Sequence, residues 1–61
     1  MTPLFSPGDW VIDTKRETAP TVFAVIEGLE TVYVLESDDG SLYMSKESDL
    51  IKYDKYYFDR K

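Results

Sequence analysis

No disulfide and no histidine or thiolate metal clip can hold this chain together, because its 61 residues include neither cysteine nor histidine. The fold must therefore rest on burial and hydrogen bonding alone. A chain of 7.1 kDa hides only about 60% of the surface its unfolded form exposes. Ordering it costs on the order of 90 kcal/mol at about 1.5 kcal/mol per residue. One small domain is expected over residues 1–61, with little surface to spare beyond its core.

The same two absences exclude much chemistry. A thiolate nucleophile, a zinc–thiolate site and any Ser-His-Asp or Cys-His arrangement are ruled out. Acid–base work would fall to Asp, Glu, Lys or Tyr, whose pKa values shift only in a deep pocket. So short a chain has little room for one, so no enzyme and no catalytic residue is expected. No cofactor or metal is expected either. Asp38-Asp39-Gly40-Ser41 lacks the spacing of oxygen ligands in a calcium loop. The opening MTPLFSPGDW has no basic, apolar leader pattern. The longest apolar run, Val22–Ile26, is far short of the roughly 20 residues of a membrane span. A cytoplasmic protein with no membrane contact is the expectation.

Strand signals recur along the chain. Pro7-Gly8-Asp9 marks a turn, and Trp10-Val11-Ile12 opens a strand that runs to about Thr14. The polar stretch from Lys15 to Pro20 reads as a loop. Thr21–Glu27 is a second strand. Its five consecutive apolar residues point to cover on both faces or to the middle of a tightly curved barrel strand. Thr31–Leu35 is a third. Ser37-Asp38-Asp39-Gly40 is a hairpin, either a type I′ turn or a Gly-terminated bulged loop, and Ser41–Met44 returns from it. Ser45–Leu50 suggests one helical turn capped by Ser45, or by Ser48, before a short last strand, Leu50–Tyr53. The tail over residues 54–61 is aromatic and charged. Five short strands in so few residues favour a small all-β barrel, which leaves few free edges.

Three segments carry a resemblance. Pro7-Gly8-Asp9-Trp10-Val11 resembles the "PGD-x-V" opening of many small SH3-like barrels. Tyr33-Val34-Leu35-Glu36-Ser37-Asp38-Asp39-Gly40 is similar to the third strand and hairpin of Tudor-like and KOW-like relatives. Glu47-Ser48-Asp49-Leu50 resembles the polar turn before their final strand. The similarity covers about residues 5–53. It implies an all-β, five-stranded SH3-like barrel of a kind common in bacteria and their phages, with a short helical turn before the last strand. The "ALYDY" segment of signalling SH3 domains is missing, so binding of PxxP peptides is not implied. The basic loop and Gly-rich turn of KOW nucleic-acid binders are missing too.

Nine aromatic residues are available for core or contact. Phe5, Phe23 and Tyr33 are assigned to the core. Trp10, Tyr43, Tyr53, Tyr56 and Tyr57 are the candidate contacts for a protein partner or a second copy. A net charge of −5 disfavours nucleic acid. Lys15, Arg16, Lys52, Lys55 and Arg60, with Lys61, would make an alternative basic patch if the loop and the tail met in space.

Overall fold

Pro7 and Gly8 sit at the centre of a tight turn for reasons of backbone preference. Pro presets φ near about −65°, and Gly8 accepts φ 94°. Asp9 N–H donates to the Ser6 carbonyl at 3.0 Å, and the Asp9 carboxylate accepts from Ser6 N–H at 2.9 Å. The computed structural model describes residues 2–60, residue 60 through its backbone alone. Within them the fold is mostly β, with five strands in two sheets. The strands are β1 (Val11–Asp13), β2 (Thr21–Ile26), β3 (Val32–Glu36), β4 (Leu42–Lys46) and β5 (Leu50–Lys52). β1 and β5 form an antiparallel ribbon, while β2, β3 and β4 form an antiparallel meander in that order. The two sheets meet where Trp10 bridges Thr21, and Gly8 N–H and Val22 N–H bond to the Val22 and Asp9 carbonyls at 2.8 and 2.9 Å. Among the described residues no ladder joins β4 to β5, and no helix is long and apolar enough to cross a membrane.

The expected helical turn before β5 is present as a 3-10 turn, Glu47–Asp49. Neither Ser45 nor Ser48 caps it, which corrects the expectation. Ser45 belongs to β4, which runs straight into the turn, so extended Lys46 takes the cap position with no side-chain hydrogen bond. Ser48 lies inside the turn. The tail ends in a second 3-10 turn, Phe58–Arg60.

The hairpin between β3 and β4 is the Gly-terminated bulged loop. Ser37 N–H bonds to the Ser41 carbonyl and Gly40 N–H to the Ser37 carbonyl, both at 2.9 Å. Gly40 supplies the left-handed residue at φ 85°. Asp39 Oδ1 accepts from Ser41 N–H at 3.0 Å and from its hydroxyl at 2.7 Å. These bonds, the hydroxyl's first, hold the Asp39 carboxyl below its ordinary value. A Cβ at position 40 would meet nothing within 4 Å. Gly40→Ala is thus expected to cost only the left-handed strain, about 1 kcal/mol, or roughly 4–8 °C in Tm by calorimetry.

β2 departs from simple alternation. Its register with β3 shifts between Val22 and Ala24, so Phe23 is an extra residue opposite no partner. Val22 is buried, whereas Phe23 is 55% exposed. This corrects the assignment of Phe23 to the core and the idea of cover on both faces. The bulge sets Phe23 and Ala24 on the outer side and returns Val25 to the inner one.

The core cluster draws Phe5 from the lead-in and one or two residues from most strands: Val11, Val22, Tyr33, Leu35 and Leu50. Half-buried Val25 and Tyr43 pack against it. The Phe5 and Tyr33 rings meet edge to face, with centroids 5.6 Å apart. Ile12 is buried outside this cluster, on the opposite side of β1 from Val11. Among the described residues Asp13 is the one buried charged residue, 1% exposed. It opens a hairpin turn over residues 14–17, closed by Asp13 N–H bonding to the Thr18 carbonyl at 2.8 Å. Glu17 takes the left-handed position there, φ 57°.

Candidate functional site

The β1–β5 register runs one residue past the strands and brings Trp10 beside Tyr53, whose N–H bonds to the Trp10 carbonyl at 3.3 Å. Their rings stack with centroids 5.1 Å apart and planes 28° apart, an offset geometry that suits two π faces. Val11 faces the core cluster, and Trp10 lies on the other side of β1 with Ile12; Ile12 is covered there, whereas Trp10, before the strand's first residue, remains 59% exposed. The pair lines one wall of an open cleft of about 550 Å³, with Leu4, Phe5, Asp9 and Lys52 completing it. That volume lies within the range of ordinary ligand sites. Asp9 and Lys52 place one carboxylate and one ammonium beside Leu4, Phe5 and the ring pair.

The other aromatic candidates are elsewhere. Tyr43 is half-buried on the inner side of β4. Its hydroxyl donates to Asp13 Oδ2 at 3.0 Å, and the Arg16 guanidinium sits 4.0 Å above its ring. Burial, then the Asp13 carboxylate, raises the Tyr43 phenol, against the lowering effect of Thr18 and Arg16. Tyr43 thus packs against the core, Asp13 and Arg16. Tyr56 is exposed in the tail, with the Lys55 ammonium 5.0 Å from its ring centroid. Tyr57 is half-buried and meets Phe58 edge to face at 5.0 Å. Neither lines the Trp10–Tyr53 cleft.

Among the basic residues, Lys15 and Arg16 come after Asp13 at one end of the β1–β5 ribbon, whereas Lys52 lies at the other end, opposite Val11. Arg16 also approaches the buried Asp13 carboxylate, its Nε 3.9 Å from Oδ2. The Arg60 side chain and Lys61 lie outside the described residues. Among the described residues no group of three or more acidic side chains converges in a way that could hold a metal ion.

Two features are not evident from the sequence alone. Asp13 is a buried carboxylate whose Oδ1 accepts Lys15 and Arg16 N–H, each at 3.1 Å. The outer side of the meander is apolar at Phe23, Ile26, Leu42 and Met44, all exposed. The alternation of Leu42 and Met44 with Tyr43 and Ser45 is the one signal that could have found the second. Scans against family models, curated proteins and solved structures each return no match for this chain.

Proposed function

We propose that the chain is a non-enzymatic interaction module on an SH3-like small barrel, and that it takes an extended protein segment in the Trp10–Tyr53 cleft. The barrel reading is supported by the strand sequence β5-β1-β2-β3-β4 that results when the Trp10–Thr21 bridge joins ribbon to meander. It is also supported by the 3-10 turn that feeds β5. The exposed Trp10, stacked on Tyr53 in an open cleft of mixed polar and apolar lining, carries the functional reading. A large aromatic held rigid by its neighbour offers contact area at little cost in entropy on binding. The net charge of −5 steers basic partners toward the domain, and Asp9 lies at the cleft to meet a cation.

The test begins with Trp10 fluorescence. In the free protein the emission is expected to be red-shifted and open to acrylamide. A blue-shifted, quencher-protected emission in the monomer sinks the contact role. Displayed peptides selected on the wild-type chain and counter-selected on Trp10→Ala are then expected to share a basic, aromatic or aliphatic segment. Failure to recover any peptide that distinguishes the two chains overturns the proposal, as does a Trp10-dependent preference for single-stranded oligonucleotides over peptides.

A further inference from the structure

The outer side of the meander is an apolar face that no described residue covers. Phe23 is 55%, Ile26 48%, Leu42 50% and Met44 64% exposed. The register joins them into one surface: Ala24, Val34 and Met44 form a central row, flanked by Ile26 and Val32 on one side and Leu42 on the other. The whole chain exposes 4495 Å², where a compact protein of its mass should expose about 4,100 Å². Contiguous exposed apolar faces on a small monomer commonly serve as docking surfaces.

We propose that this face docks a second copy of the chain, in a two-fold dimer with the facing sheets antiparallel. The charges on the face select both the occupant and the orientation. Its outward strand positions carry two charged side chains, Glu36 opposite Leu42 at one end and Lys46 opposite Val32 at the other. A two-fold axis along the central row, across the strands, sets each end of the face over the opposite end of the other copy. Glu36 of each copy then approaches Lys46 of the other, twice over. An axis along the strands would instead stack Glu36 on Glu36. The face is thus complementary to itself in one orientation, the condition for a closed isologous pair. Covering it on both copies removes roughly 1,000 Å² in total, the low end of specific interfaces, so the dimer is weak and concentration-dependent. The charge of −5 on each copy opposes approach at long range, so the measurement belongs at about 150 mM salt, where screening acts beyond about 8 Å.

Sedimentation equilibrium of the intact chain from about 10 μM to about 1 mM is expected to show a reversible monomer–dimer equilibrium. Ile26→Lys on β2 and Met44→Lys on β4 are each expected to raise the dissociation constant about tenfold or more. Both side chains are exposed, and an unchanged circular dichroism spectrum verifies that each variant folds. Glu36→Lys and Lys46→Glu alone are expected to weaken the dimer, and together to restore it. Monomer at every concentration overturns the proposal. So does a dimer lost in Met44→Lys but kept in Ile26→Lys, which would mean pairing along the β4 edge. A double charge swap that fails to restore association overturns the orientation.

Discussion

Asp13→Ala is expected to remove a large share of the folding stability that so short a chain has. The carboxylate is 1% exposed and holds three hydrogen bonds, two from backbone amides in the turn it opens and one from the Tyr43 hydroxyl thirty residues away. Alanine removes the acceptor and leaves those part-buried donors without it. Such losses cost about 2–4 kcal/mol. A chain of 61 residues has a total stability of only about 3–9 kcal/mol. The Arg16 contact adds little to this loss, because that side chain is 56% exposed and its Nε is 3.9 Å away. Asp13→Asn keeps an acceptor for the amides and can donate to the Tyr43 oxygen, so its expected cost is smaller, about 1 kcal/mol. Urea titration followed by far-UV circular dichroism and by Trp10 fluorescence measures both. Equal losses for Ala and Asn would show that the charge matters and the hydrogen bonds do not. A loss under about 1 kcal/mol for Ala would show that water replaces the carboxylate.

Where local chemistry decides, the sequence was readable. Asp39-Gly40 specified the hairpin because the turn itself needs a residue at positive φ. Pro7-Gly8 marked the entry to β1 for the same kind of reason. Phe5 and Tyr33 fell in the core, as their size suggested. Where a distant partner decides, the sequence fell short. Period-two reasoning places Asp13 on the same side as Val11, yet burial of a carboxylate depends on donors that only the folded turn and β4 supply. Phe23 looked like core because a bulge leaves no mark in an apolar run. The extra residue flips the remainder of β2 and leaves Phe23 facing out. Ser45 looked like a cap because strand and turn were expected to be separate, whereas β4 extends to Lys46. The candidate site divided along the same line. Trp10 and Tyr53 are neighbours through the β1–β5 register. That register also sets Lys52 at the opposite end of the ribbon from Lys15 and Arg16.

Tyr33→Ala should be the most damaging single change to the core, because Tyr33 is its largest fully buried side chain. Truncating a buried aromatic costs about 3–5 kcal/mol. Tyr33→Phe keeps the ring against Phe5 and removes only the hydroxyl. That hydroxyl accepts from Phe5 N–H at 3.2 Å and donates to Glu47 Oε2 at 2.6 Å, and Glu47 also accepts from Leu4 N–H at 3.1 Å. The three bonds fasten the lead-in to the 3-10 turn, and losing the central one is expected to cost about 1–2 kcal/mol. The same link makes stability depend on pH at both ends of the scale. The Tyr33 hydroxyl first, and the Leu4 amide second, hold Glu47 below its ordinary value of 4.5. Its contribution is therefore present above about pH 4.5 and lost as pH falls through the lowered value. Burial first, and Glu47 second, raise Tyr33 above 10.0. Its contribution is present below pH 10 and lost as pH rises through the raised value. Glu47→Gln should accordingly abolish Glu47's share of the acid-side loss while leaving most of the alkaline one, since burial of the phenol persists. Tyr33→Phe should shrink both, the alkaline loss down to the share of Tyr43, whose phenol is also raised. Urea midpoints from pH 2.5 to 11 for the three chains separate these outcomes. An acid-side loss of wild-type size in Glu47→Gln would place the acid sensitivity in other carboxylates and leave the Tyr33–Glu47 bond a matter of packing alone.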